Sequence, residues 1–233
     1  MFKRDNSPEA FLRTPMPERY RLARALARRA LDALDNPKGS PDSQRALALV
    51  GGIVSPLDDS SDKEALDDAI ERAVDAIIAD PGCVEALVTC GRALMLHGHF
   101  DNWTWHQKPL RDARKLLERA VQLAPADPKS LENLLLCELL LRRFEPALDM
   151  LNDLKERQPY IHAFGRGVWF DLHDNPKLSA EWFMQAKREA GNPERTSWAL
   201  LHHAQALASV GQLELADARM ADAVLAGRPH RLR

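Results

Sequence analysis

Apolar residues recur along this chain with the period of an α-helix, in segments of about 12 to 18 residues dominated by Ala, Leu, Arg, Glu and Asp. Val, Ile and Thr, which favour strands, are scarce. A short polar residue followed by proline marks several segment ends, because its side chain can cap a helix whose first position proline occupies. These junctions are Asp80-Pro81, Asp127-Pro128, Asn175-Pro176 and Asn192-Pro193. The pattern predicts an all-α fold of about 10 to 11 helices.

The helical segments repeat in pairs. Pro81, Pro125 and Pro159 follow successive second helices at spacings of 44 and 34 residues. The longer spacing equals the shorter one plus about ten residues, which places an insertion at about residues 101–110. Small residues recur on the second helices, where they would let two helix backbones approach. They are Ala69 and Ala76, Ala113 and Ala120, Ala147, and Ala216 and Ala223.

This arrangement resembles the tetratricopeptide repeat (TPR) family, in degenerate form, over about residues 62–227. The likeness is good for the helix pairs around 84–125, 128–159 and 197–223 and poor for 160–192, where the spacing is short. It implies a right-handed superhelical solenoid of antiparallel helix pairs that binds a partner polypeptide in a concave groove, as an adaptor or scaffold. Leu135 stands where the family usually has a small residue and is expected to push neighbouring helices apart.

The remaining segments are expected to frame the repeats, because the ends of a solenoid need a more polar cap. The first capping helix should span Pro17 to Asp35, and a shorter one should follow over Asp42 to Val54. In chain order, the predicted parts are a mobile N-terminal arm at 1–16, capping helices at 17–60, TPR-like repeats at 61–227 and a basic C-terminal tail at 228–233.

The first helix of each pair would line the concave surface, so the residues between its packing positions are candidates for contact with a partner. They combine apolar and aromatic groups with few charges, which favours an apolar or amphipathic segment of another polypeptide. The candidates are Thr89, Arg92, Met95, Glu132, Asn133, Leu136, Phe164, Val168, Trp198, His202 and Gln205. A competing interpretation fills this surface with the terminal helix, the N-terminal arm or a second subunit, which would make Phe164 and Trp198 core residues.

Some TPR proteins hold the C-terminal carboxylate of a chaperone with Lys, Arg and Asn side chains, and the resemblance raises that possibility here. Arg92 and Asn133 supply only part of such a set. Glu132 would repel an anion, and Leu136 replaces another polar group. The sequence therefore argues against binding of a chaperone tail.

The insertion is a second candidate region, because a tight turn would suffice between two helices. Trp103, Trp105 and His106 could form a clamp at one edge of the groove, or the tryptophans could simply anchor the loop. A metal site would use His97, His99 and His106, but their spacing fits no established ligand pattern. The sequence thus indicates no metal.

Charge is unevenly distributed in a chain of 233 residues with a formal net charge of -2. Residues 1–40 carry a local excess of four positive charges and residues 41–82 a local excess of seven negative charges, so the two blocks should attract one another. The arginine-rich first helix and the basic tail could follow a phosphate backbone, but the overall acidity argues against nucleic acid.

Several function classes lack their sequence signals. No run of roughly 18 apolar residues could span a bilayer, and no apolar segment near Met1 resembles a signal peptide, which predicts a cytoplasmic protein without a membrane partner. No phosphate-binding loop, nucleophile elbow or paired catalytic carboxylate is evident, so neither catalysis nor a cofactor is expected. Cys83, Cys90 and Cys137 form an odd, sparse set that suits reduced core thiols. The main alternative to an adaptor is a scaffold that self-associates into a homo-oligomer, and a metal-dependent or nucleic-acid-binding protein is a less favoured alternative.

Overall fold

The computed structural model describes residues 18–51, 63–100, 104–105 and 107–227. Apart from two strands of two residues each, these residues fold as eleven helices, which confirms the all-α prediction. The elements are α1 (Glu18–Asp35), α2 (Ser43–Gly51), α3 (Lys63–Ala79), α4 (Val84–Gly98), β1 (His99–Phe100), β2 (Thr104–Trp105), α5 (Gln107–Leu123), α6 (Pro128–Leu140), α7 (Phe144–Arg157), α8 (Pro159–Asp171), α9 (Pro176–Glu189), α10 (Pro193–Ser209) and α11 (Leu213–Gly227).

Local capping fixes three of the helix starts. The side chains of Asp127, Asn175 and Asn192 each accept a hydrogen bond from the backbone N–H three residues further on, at 2.8, 3.3 and 2.9 Å. Each cap satisfies a donor that the first helical turn would otherwise leave unpaired, and proline follows at the first helical position in all three. The predictions made from these dipeptides are therefore confirmed.

The chain divides into two compact units, Met1–Leu116 and Leu117–Arg233. The division falls within α5 and not between the predicted capping helices and the repeats. No division falls between the predicted cap and the first predicted repeat, because α3 packs against α1, α2 and α4. The predicted N-terminal arm at 1–16, the predicted tail at 228–233 and residues 52–62 lie outside the described residues.

Polar contacts link the helices of the first unit. Arg29 Nη2 of α1 lies 3.2 Å from Asp75 Oδ1 of α3, so the oppositely charged blocks do meet. Asp80, in the turn after α3, accepts hydrogen bonds from Ser43 Oγ at 2.6 Å and from the backbone N–H of Gly82 at 2.8 Å. The Asp80-Pro81 junction is therefore a turn that leads into α4.

The insertion is shorter than predicted. Strands β1 and β2 pair antiparallel, with His99 opposite Trp105 and Phe100 opposite Thr104. Helix α5 begins at Gln107, so the last residues of the expected insertion belong to its first turn. A helical period does not reveal this backbone pairing between two extended segments.

Consecutive helices of the second unit pack against one another from α6 to α11, and α6 also contacts α8. The first helices of its three pairs begin at residues 128, 159 and 193, which are spacings of 31 and 34 residues. Residues 160–192, where the family resemblance was poor, thus contain a regular helix pair, α8 and α9. The family pattern is weak there because other residues fill the packing positions, although both helices are present.

Leu135 is accommodated by a glycine on the facing helix. A Cβ atom at Gly165 of α8 would lie 2.6 Å from Leu135 Cδ2 and 2.8 Å from Leu151 Cδ2, closer than side chains can approach. Gly167 plays the same part for the ring of Phe183, whose Cε1 would be 2.6 Å from an added Cβ. The small residue that this helix crossing needs is therefore Gly165 of α8, whereas the family pattern expects it on α6, at position 135.

The three cysteines are buried free thiols, as predicted. Burial raises the pKa of the Cys83 thiol and raises that of Cys90 to about 12. Among the helices that the structure describes, none combines the length and apolar character that crossing a membrane would require.

Candidate functional site

Five rings from three helices meet in the second unit and form what we call the aromatic cluster: Tyr160 and Phe164 of α8, Phe183 of α9, and Trp198 and His202 of α10. The one-turn spacings within α8 and α10 place each pair on one face of its helix. Phe164 and Phe183 lie edge to face at 5.4 Å between ring centroids, and each ring lies 5.2 Å from the His202 imidazole. Trp198 stacks on His202 at 5.9 Å.

The aromatic cluster has a buried base and a partly open edge. Tyr160, Phe164 and Phe183 are buried, whereas Trp198 and His202 each keep part of their surface accessible. Within the second unit, the edge of the cluster that a partner could contact is therefore contributed by α10.

His202 is neutral at physiological pH. Burial among the neighbouring rings lowers the pKa of its imidazole to about 4, because a charged ring would lose its hydration there. The edge of the aromatic cluster consequently offers an uncharged, aromatic surface. That combination suits an apolar or amphipathic ligand better than a charged one.

A charged pair borders the aromatic cluster. Arg195 Nη2 of α10 lies 3.0 Å from Glu132 Oε2 of α6, and its guanidinium carbon lies 4.5 Å from the centre of the Tyr160 ring. Both charged side chains are partly buried. Burial raises the pKa of the Tyr160 phenol, and the nearby Glu132 carboxylate adds to the effect. Glu132 is therefore neutralised by Arg195 and does not act as a free negative charge.

Sequence reasoning selected Glu132, Phe164, Trp198 and His202 but missed Tyr160 and Arg195. A signal for both was present. Arg195 precedes Trp198 by three residues and His202 by seven, and Tyr160 precedes Phe164 by four. These are spacings that place side chains on one helix face.

Three predicted contact residues belong to the core instead. Met95, Phe164 and Val168 are each 5% exposed. Burying such side chains in their own unit stabilises the fold, which leaves almost none of their surface for a partner. Phe164 is thus a core residue in contact with rings of α9 and α10, whereas Trp198 stays partly accessible.

The other predicted residues are partly accessible. Asn133 is engaged by its own helix, because its Nδ2 donates a hydrogen bond to the Lys129 carbonyl at 2.8 Å. Leu136 of α6 packs against the hydrophobic core of the second unit, and Gln205 lies three residues after His202 on α10. Thr89 and Arg92 lie on α4, in the first unit.

The predicted loop clamp is largely outside the described residues. Trp103 and His106 are not described, and Trp105 is described only as backbone in β2. Across the described part of the chain, no three His, Cys, Asp or Glu residues are grouped so that they could hold a metal ion.

The adjacent histidines of α10, His202 and His203, lie in different environments. His203 is buried beyond the reach of the aromatic cluster, near Arg219 and Lys187. Burial lowers the pKa of its imidazole to about 4, and the two cations act in the same direction. The two rings differ in direction by about 100°, the angle between successive helical residues.

No protein-family model matches the chain, and no curated protein matches its sequence. Function is therefore inferred from the aromatic cluster and its charged border.

Proposed function

We propose that this protein is a TPR-like adaptor whose second unit binds an apolar or amphipathic segment of a partner polypeptide. The partner would lie against the first helices of successive pairs, α6, α8 and α10, which a solenoid arrangement would turn toward one concave groove. The helix-pair spacings of 31 and 34 residues and the close approach at Gly165 support the repeat interpretation.

One observation carries the proposal: Trp198 and His202 form a partly accessible edge on an otherwise buried aromatic cluster. Their rings are held by neighbouring rings, so little side-chain entropy remains to be lost when a partner binds. Tryptophan, tyrosine and arginine are the residues that most often dominate binding energy at interfaces, and Arg195 lies beside the aromatic cluster already ordered by Glu132.

The Trp198→Ala variant tests this proposal. A library of displayed random peptides is selected on the full chain, and the enriched peptides are then labelled and titrated by fluorescence polarisation. We expect apolar and aromatic peptides to be enriched, and their affinity to fall at least about tenfold in Trp198→Ala, which is about 1.4 kcal/mol.

Trp169→Ala is the matched control, because it removes the same side chain from a different ring contact, with Phe170 of α8 and with His173, which follows that helix. Peptides that bind both variants equally well, or a selection that enriches nothing, would contradict the proposal. Unchanged helical content by circular dichroism establishes that each variant is folded.

Self-association is the second candidate function, favoured by the surface of α11. Leu213, Leu215, Met220, Val224 and Leu225 are five of the eight large apolar side chains that the described residues expose. Leu213, Met220 and Val224 fall on one stripe of the helix. Because solvated apolar stripes are costly, a second copy of the chain could cover this one.

Sedimentation velocity over about 1 to 100 µM tests the second candidate. Met220→Glu should abolish any concentration-dependent dimer, whereas Leu47→Glu, which charges an exposed leucine on α2, should leave it intact. A monomer throughout the series would exclude self-association.

A further inference from the structure

A cleft of about 470 Å³ lies between the end of α7, α8 and α9 in the second unit. His162 of α8 lines it, and Phe164 of the aromatic cluster follows two residues later. Two residues correspond to about 200° around a helix, so the cleft and the aromatic cluster occupy opposite sides of α8. The cleft is therefore separate from the proposed polypeptide site.

His162 supplies a hydrogen-bond acceptor to the cleft. The side chain is only 7% exposed, and its Nδ1 lies 2.7 Å from the Leu151 carbonyl oxygen. A carbonyl can only accept, so Nδ1 donates, and in that tautomer of the uncharged ring the lone pair is on Nε2. Within the described residues Nε2 has no hydrogen-bond partner, yet it is not sealed from solvent. The cleft is the open space beside it.

The floor of the cleft is apolar and aromatic. The Trp182 indole lies 5.5 Å from the His162 imidazole in an edge-to-face arrangement, and Pro159 and Ala163 complete this surface. The imidazole contact orients the indole, and an aromatic ring attracts a cation placed over its face. A ligand with an apolar stem could pack against this floor.

Acceptors from α9 form one wall. Glu181, Gln185 and Glu189 follow one another at intervals of four residues, so they share a helix face. Gln185 Nε2 donates to Glu189 Oε1 at 2.7 Å, which fixes that carboxylate along the wall. Among the lining residues Lys155 carries one positive charge against the two carboxylates of Glu181 and Glu189, and from outside the lining Arg188 Nη1 donates to Gln185 Oε1 at 2.9 Å.

We propose that the cleft binds an organic cation on an apolar stem, the chemistry of a lysine or arginine side chain or of a free alkylguanidinium. The stem packs on Trp182 while the cationic N–H groups donate to His162 Nε2 and to one carboxylate of the wall, Glu181 or Glu189, and the other carboxylate adds attraction at longer range. The buried acceptor needs a hydrogen-bond donor, the carboxylates of the wall attract positive charge, and the ring packs against an apolar chain. A cation on an apolar stem meets all three conditions.

Three probes separate this chemistry from nonspecific packing. The full chain is titrated with Nα-acetyl-arginine N-methylamide, with its uncharged isostere Nα-acetyl-citrulline N-methylamide, and with n-butylguanidinium. Nuclear magnetic resonance follows the indole N–H signal of Trp182, which the Trp182→Phe variant assigns. We expect saturable shifts with both cations and at least about fivefold weaker binding of the citrulline compound.

The two cations also distinguish the source of the ligand. Tighter binding of the arginine compound than of n-butylguanidinium assigns the site to a basic residue of a peptide. Equal affinity assigns it to a free alkyl cation, and either result supports the proposed chemistry.

A double variant tests the wall directly. Glu181→Gln with Glu189→Gln changes two exposed side chains, so the fold should persist, and the affinity for the arginine compound should fall about fivefold. Glu214→Gln removes an exposed carboxylate from α11 and is the matched control. The proposal is overturned if the citrulline compound binds equally well, if the double variant keeps wild-type affinity, or if no cation saturates the signal by about 50 mM. The aromatic-cluster variants play no part in this experiment, so the two proposals can fail separately.

Discussion

Gly165→Ala should destabilise the second unit, although alanine usually favours a helix. The added Cβ would lie 2.6 Å from Leu135 Cδ2 and 2.8 Å from Leu151 Cδ2, and both leucines are fully buried. Overpacking of this kind costs about 1 to 3 kcal/mol, whereas replacing a helical glycine by alanine stabilises a helix by about 0.5 to 1 kcal/mol. Because two buried leucine carbons overlap the new Cβ at once, the upper part of the overpacking range, about 2 to 3 kcal/mol, applies, and we expect a net loss of about 1 to 2.5 kcal/mol in the free energy of unfolding.

Urea denaturation followed by circular dichroism measures this change, with Gly51→Ala as the control. Gly51 is also helical, but an added Cβ there meets nothing within 4 Å. The control should consequently be neutral or slightly stabilised. A Gly165→Ala protein as stable as the wild type would refute the close approach of α8 to α6 and α7.

A double-mutant cycle tests whether the loss of stability in Gly165→Ala comes from contact with Leu135. Leu135→Ala alone should lose about 2 to 5 kcal/mol, because it leaves a cavity. In the Gly165→Ala background the same change should cost less, since the new methyl group occupies part of the vacated space. Equal costs in the two backgrounds would show that Leu135 and Gly165 do not share a packing site.

Two further expectations follow from burial. Because the pKa of both His202 and His203 is lowered to about 4 in the folded chain, from an ordinary 6.5, the unfolded chain binds protons that the folded chain excludes between these values. These groups should not affect stability above pH 6.5, and they should lower it as the pH drops toward 4. Urea midpoints measured across this range should fall less steeply in His203→Gln than in the wild type. An equally steep fall in both proteins would contradict the lowered pKa of His203. Cys90, whose pKa burial raises to about 12, should react with iodoacetamide at pH 8 only as the chain unfolds, whereas rapid labelling seen by mass spectrometry under native conditions would place the thiol at the surface.

The candidate site was predictable only in part. A helical period identifies which residues share a face, so Trp198 and His202 could be selected together. It does not identify the helix that covers that face, so the burial of Met95 and Val168 escaped prediction. The ion pair of Arg195 with Glu132 joins residues 63 positions apart, and no pattern within one helix encodes it.

The sequence by itself determined the helical class and many of the helix boundaries. Hydrogen bonds within a helix and caps such as Asp127, Asn175 and Asn192 involve residues only a few positions apart, so their information is local. Only the tertiary structure decided that Gly165 makes room for Leu135, and that residues of α8, α9 and α10 enclose His202 in an aromatic cluster. These features depend on which surfaces interlock, and close packing is a property of segments far apart in the chain.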